Sequence, residues 1–297
     1  MIEVLRAGPL TTVQDLGRPG LAHLGVPRSG ALDQPALRLA NRLVGNPPDA
    51  AGLEVTLTGC RLRATVATWV AATGGYATVT VDGRPGRFGG VQPVPAGATL
   101  HIGRCTRGLR TYLALAGGVD VPPVLGSRST DVLSGLGPAA LRDGDLLPLG
   151  APSGPPPPST VDSEDPSTVD VTSTEEVPAP VEVASTVEVR VAPGPRAGWF
   201  ADPGLAGATY TVSPKSNRVG VRLTGPALTR VRDGELPSEG VVLGAVQIPA
   251  DGQPVIFLAD HPTTGGYPVV AVVHPADLPL LAQARPGTTV VFRGSER

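Results

Sequence analysis

The chain has 297 residues, a formal net charge of −2, 41% apolar residues and only 3% aromatics, so Val, Leu, Ala and Thr must fill any core. Glycine (39) and proline (34) together approach a quarter of the chain, which excludes a helix bundle or coiled coil, since both destabilise helix interiors. The charge excludes a wholesale nucleic-acid binder, and no apolar run reaches the ~20 residues of a membrane span.

The chain opens Met1-Ile2-Glu3-Val4-Leu5-Arg6, without the basic and apolar regions of a signal peptide, and Cys60 and Cys105 lack metal or redox spacing. A reducing, cytoplasmic setting is expected. The polar run Thr11-Thr12-Val13-Gln14-Asp15-Leu16-Gly17-Arg18-Pro19-Gly20 reads as a loop, with Gln14, Asp15 and Arg18 as candidates for a polar ligand. Asp33 starts a helix through Gln34-Pro35-Ala36-Leu37 that stops at Val44-Gly45-Asn46. Alternation predicts strands over 76–81, 99–102 and 111–115. Glycines 117, 118 and 126 precede Ser127-Arg128-Ser129-Thr130; turn chemistry is the stronger reading there, because neither a Walker Gly-Lys-Thr nor a G-x-G-x-x-G pattern is present.

From 151 to 186 the composition shifts to Pro, Ser, Thr and seven acidic residues, with no Lys or Arg, which predicts a disordered linker between domains at 1–150 and 187–297. Without it the remainder carries about +5, and Lys215 is its only lysine, so anion recognition falls to arginine forks. Strands follow over 187–191, 219–223, 254–259 and 268–273, then a helix over 275–284. Short strands, Gly turns and few helices predict a mainly β protein of closed or half-closed barrels. Gly-led strands at 96–102, 143–149 and 286–292 hint at duplication.

The candidate chemistry lies mostly in the second half. Ser216 and Asn217 suit a turn, and Arg218 and Arg222, of equal strand parity, would share a face able to hold a carboxylate. Glu239 is a cap or a general base, with Gln247 nearby in the chain. Asp260, Thr263, Thr264, Gly265, Gly266 and Tyr267 lie between two buried strands, either as a Gly-Gly turn or as a site around a reacting group. Neither His spacing nor a nucleophile elbow supports a metal centre or a covalent nucleophile.

In order, TTVQDLGRPG, GVPRSGALDQPALRLANRLVGN, LEVTLTG, LGSRST, SNRVGVRLTGP, SEG and ADHPTTGGYPVVAVV resemble the biotin-dependent carboxyltransferase-like family, which includes the C subunit of 5-oxoprolinase, allophanate hydrolase subunit 2 and part of urea carboxylase. The resemblance covers about 1–150 and 187–297. It implies two cyclophilin-like β-barrel domains and the role of the C subunit in an ATP-dependent 5-oxoprolinase, with the B and A subunits as partners and ATP, with Mg possible, shared in the complex. It leaves two alternatives behind that main reading: a carboxyltransferase component that uses biotin, or a non-catalytic regulator of a partner resembling the B subunit. In this reading Glu239, Asp260, Thr264 and Tyr267 are catalytic, and Gln14, Asp15, Arg18, Ser216, Asn217, Arg218, Arg222, Gln247, Thr263, Gly265 and Gly266 bind substrate. The chain departs from the family pattern at His261-Pro262, where Arg-Gln is usual, and at Val269, often Lys, so positive charge there would depend on His261 protonation.

Overall fold

A computed structural model describes residues 1–152, 154, 186–201, 205–232 and 234–294; most of the stretch expected to be a linker lies outside the described residues. The elements run β1 (Ile2–Arg6), β2 (Thr11–Gln14), α1 (Gln34–Leu43), β3 (Gly52–Thr56), β4 (Cys60–Ala64), β5 (Thr68–Val81), β6 (Arg84–Pro85), β7 (Val91–Val94), β8 (Thr99–Leu115) and β9 (Leu146–Leu147). After these come β10 (Thr186–Pro193), β11 (Thr209–Val212), β12 (Gly220–Thr224), β13 (Glu239–Gly240), β14 (Ala245–Gln247), β15 (Val255–Phe257), β16 (Thr264–Gly265), β17 (Val269–Val273), α2 (Leu278–Gln283) and β18 (Thr289–Gly294). The protein is mainly β, as the alternating patterns require. Two compact units emerge, and they are not contiguous in the chain. One holds Met1–Val13, Ala36–Val121 and the described residues from 141 to 154; the other holds Gln14–Pro35, Pro122–Ala140 and the described residues from 186 to 294.

The first unit is a curled half-barrel with sheet order β2-β3-β8-β4-β1-β9, while β5 pairs with β6, β7 and β8. Its 14- and 17-residue strands β5 and β8 would overrun a flat sheet. Register shifts between Gly74 and Tyr76, Tyr76 and Ala77, and Ala77 and Val79 bend them. Val4, Leu53, Leu62, Leu100, Ile102 and Leu113 fill the concave side. Gly59 has φ +80, and a Cβ there would lie 2.0 Å from the Ile102 carbonyl oxygen, so only glycine lets the turn into β4 close. Ala40 of α1 and Val44 just after it bury against Ala71 and Ala114.

The second unit is a closed seven-strand barrel, β10-β17-β14-β15-β12-β11-β18. Its core alternates Val187, Val189 and Val191 with exposed neighbours, and Tyr210 meets Phe292 edge to face at 5.8 Å. The two-stranded pair β13–β16 stands apart from the barrel ladder and carries Glu239, Gly240, Thr264 and Gly265.

One local expectation is corrected. Thr11–Gln14 is not loop but a fully buried strand. Its polar side chains are tolerated because they find partners: Thr11 Oγ1 donates to the Ala7 carbonyl at 2.6 Å and Gln14 Nε2 to the Thr130 carbonyl at 3.0 Å. The expected helix over 275–284 begins as a 3₁₀ turn, Pro275–Asp277, before α2.

Candidate functional site

Within the second unit the motif residues form two polar groups. The first is built on Asp15, a carboxylate 8% exposed. Its Oδ1 accepts from the Gly17 N–H at 2.7 Å, the Ser127 hydroxyl at 2.6 Å and the Ser129 hydroxyl, and its Oδ2 accepts from the Arg128 N–H at 2.6 Å. Ser129 N–H donates to Ser127 Oγ and Ser127 N–H to the Val124 carbonyl. The Ser127, Arg128 and Ser129 amides are thereby consumed, and the loop does not fit a phosphate group.

Arg18, 3% exposed, fans its guanidinium onto the Val124 and Ser129 carbonyls and, at 2.8 Å, the Ser29 hydroxyl. Ser29 in turn donates to Asp131 Oδ2 at 2.6 Å. Burial lowers the Arg18 pKa, and Asp15, Asp131 and Asp260 offset part of the drop.

Arg218 and Asp260 extend this group as a fully buried bidentate pair: Arg218 Nε to Asp260 Oδ2 and Nη2 to Oδ1, both at 2.9 Å, with side chains 0% exposed. Asp260 also accepts from the Val132 N–H at 3.0 Å, and Arg218 donates to the Gly30 carbonyl at 2.8 Å. Burial raises the Asp260 pKa, and the Arg218 fork opposes the rise. The expectation that Arg218 and Arg222 share a face is corrected. Arg218 precedes β12 and is buried by its ion pair, whereas Arg222 points outward on β12. Ser216 and Asn217 serve the turn itself: Asn217 Oδ1 accepts from Val219 and Gly220, and Ser216 Oγ from the Arg222 N–H.

His261 donates from Nδ1 to the Pro262 carbonyl at 2.6 Å and stacks on Phe257 with centroids 5.6 Å apart. Burial holds it below the ordinary imidazole value, so it supplies no positive charge at neutral pH.

The second group is partly exposed. β13 faces β16 so that Glu239 lies opposite Gly265 and Gly240 opposite Thr264, while the Val241 N–H donates to the Thr263 carbonyl. Glu239 Oε2 accepts from Arg196 Nη2 at 2.7 Å; its Oε1 is buried without a hydrogen-bond partner among the described residues. Gln247 Nε2 donates to the Tyr267 carbonyl at 3.0 Å. A Cβ on Gly265 would lie 2.7 Å from that nitrogen, so glycine permits this approach; on Gly266 a Cβ would meet nothing closer than 3.6 Å. Thr264 and Tyr267 are exposed. Arg196 and Arg230 sit over the Trp199 ring at 5.8 and 4.9 Å. Sequence reading missed Arg196, Trp199 and Arg230. The available signal was Trp199, one of two tryptophans, three residues after an arginine.

A separate cavity of about 350 Å³ is walled mainly by apolar residues, among them Leu32, Leu243, Leu258 and Leu278, with Arg28 and Gln34 also lining it. None of the proposed catalytic residues lines it. Cys60 is buried, its thiol pushed up to about 12 and kept protonated. Among the described residues no cluster of three or more His, Cys, Asp or Glu could hold a metal, and no helix is long and apolar enough to cross a membrane.

Comparison with known proteins matches the carboxyltransferase domain, subdomain A and B, to residues 24–294. The chain is 39% identical over 298 residues to the C subunit of 5-oxoprolinase of Escherichia coli, covering 98% of this chain and 90% of the relative. It is 35% identical to urea amidolyase of Saccharomyces cerevisiae over 98% of its own length but 16% of that protein's. Among solved structures, Kluyveromyces lactis urea carboxylase superposes with TM-score 0.85 at 32% identity, over 98% of this chain and 27% of the other. By this extent of match, the chain belongs to the family of the carboxyltransferase domain, subdomain A and B.

Proposed function

We propose that this chain is the C subunit of an ATP-dependent 5-oxoprolinase and works with the A and B subunits to activate 5-oxo-L-proline and hydrolyse it to L-glutamate. The observation that carries the proposal is the match to a relative of that name over 90% of its length at 39% identity. The urea amidolyases match over only 16% and 17% of theirs. A second reading, a carboxyltransferase component that accepts carboxybiotin, draws on the 35% identity to the yeast urea amidolyase.

The partly exposed group suits amide activation. A lactam is resonance-stabilised, so charge must be held on its oxygen before water adds to the carbonyl. The Thr264 hydroxyl is the donor for that oxygen, and Glu239, anchored at one oxygen by Arg196, is the proton carrier. Arg230, stacked over Trp199 and held through Nη2 by the Gly234 carbonyl, offers its remaining guanidinium N–H groups to the substrate carboxylate. Tyr267 lines the same group. Asp260, Arg218, Asp15 and Arg18 act by holding the loops, since their charges are spent on one another and on backbone. ATP supplies the activating phosphoryl group in the complex. No step of its binding is given to this chain, because the 125–130 loop does not fit it.

The test is copurification with the A and B subunits followed by an assay of ATP-dependent glutamate release from 5-oxoproline. The complex is expected to turn over, and the isolated chain neither to hydrolyse ATP nor to consume 5-oxoproline. Turnover by the pure chain alone would refute the division of labour. Urea carboxylation with a biotin carboxylase, in place of glutamate release, would favour the second reading.

A further inference from the structure

In the first unit, strand register sets basic side chains side by side. Arg6 on β1 is opposite Arg61 on β4, and Arg61 is opposite His101 on β8. Both arginines are exposed and His101 is half-buried. Directly opposed side chains on neighbouring strands have Cβ atoms about 4.5–5.5 Å apart, and like charges so placed repel. A register shift between Val4 and Arg6, a β-bulge in β1, sets Arg6 in this row.

The nearby carboxylates are used elsewhere: Glu3 pairs with Arg63 at 3.1 Å and Asp143 accepts from the Ala7 N–H at 2.8 Å. Among the described residues neither Arg6 nor Arg61 has an ion-pair partner. The field of the row is felt by His101, which burial first, and then Arg61 and Arg6, hold below the ordinary imidazole value. The two arginines therefore carry the charge at neutral pH.

From this uncompensated row we infer an interface for the acidic face of a partner protein. The occupant follows from shape and charge. The row lies on a sheet surface rather than in the cavity described above, which disfavours a small ligand. Two strand spacings make it about 10 Å long, and two arginines on a chain of net charge −2 fall short of the extended basic face that a nucleic-acid backbone requires. Carboxylates three and four residues apart on a helix are spaced at about 5–6 Å, close to the strand spacing, so an acidic helix face fits the row. The inference rests on the 5-oxoprolinase reading above, which supplies the partner.

The experiment uses the full chain with purified A and B subunits. Association is measured at about 50 mM and about 300 mM salt for the wild type, for Arg6→Glu with Arg61→Glu, and for Arg6→Gln with Arg61→Gln. Both variants are expected to associate about tenfold or more slowly at low salt; the Gln pair should lose most of the salt dependence, and the Glu pair should associate faster as salt screens its repulsion. The melting temperature of the Gln pair should be unchanged or raised, because repulsion is relieved. The Gln pair carries the test if the Glu pair fails to fold. Wild-type binding with unaltered rates and salt slope in the variants would overturn the interface and leave the 5-oxoprolinase reading standing. Failure of the wild type to bind either partner would overturn both. Binding of a double-stranded DNA fragment through the same arginines would overturn the choice of a protein partner.

Discussion

Replacing Asp260 by Asn tests whether the buried Arg218–Asp260 pair is a strut. Asp260 accepts from three donors, Arg218 Nε, Arg218 Nη2 and the Val132 N–H, at 2.9, 2.9 and 3.0 Å. Asn presents a donor where at least one of these needs an acceptor, and it removes the Asp260 charge from beside a guanidinium 0% exposed. Breaking such a pair from one side costs about 3–5 kcal/mol, or about 6–20 °C in Tm for a unit of this size. Arg218→Met with Asp260→Asn removes both charges and should cost about 1–3 kcal/mol less than the sum of the single changes. Denaturant midpoints at constant m give the four free energies of the cycle. Single costs below about 1 kcal/mol, adding without coupling, would refute the strut.

Thr264→Val in the reconstituted complex should lower turnover about 30- to 1000-fold, the ~2–4 kcal/mol of a transition-state contact, with little change in Tm because the side chain is exposed. Normal turnover with a lowered Tm would remove this loop from the site. Gly265→Ala should push Gln247 off the Tyr267 carbonyl; the added Gln247→Ala should then cost less stability than it does in the wild type, as paired thermal melts would register. His261 is buried and neutral, with its folded pKa below the ordinary 6.5. Its contribution is complete above the unfolded value and lost as pH falls below it, at no more than about 1.4 kcal/mol per pH unit. His261→Gln should flatten Tm against pH below about 6.5, and an unchanged slope would contradict the assignment.

The sequence by itself determined the β architecture, because period-two alternation over 76–81, 187–191 and 219–223 and the apolar runs at 254–259 and 268–273 allow little else. It also singled out Glu239, Gln247, Thr264, Gly265 and Tyr267, whose proximity the chain order only partly suggests. Other features were decided by tertiary structure alone. Thr11–Gln14 became a buried strand because the Thr11 hydroxyl and the Gln14 amide N–H find carbonyls outside it, that of Gln14 116 residues away, which no local pattern encodes. Arg218 became half of a buried pair instead of a surface fork because Asp260, 42 residues away, closes on it from another strand end. Residues 14–35 and 122–140 cluster with the second barrel, and Arg196 meets Glu239, through contacts spanning from 43 to more than a hundred residues. Periodicity reports which face of an element is buried; which partner buries it is set by pairings that only the closed fold brings within reach.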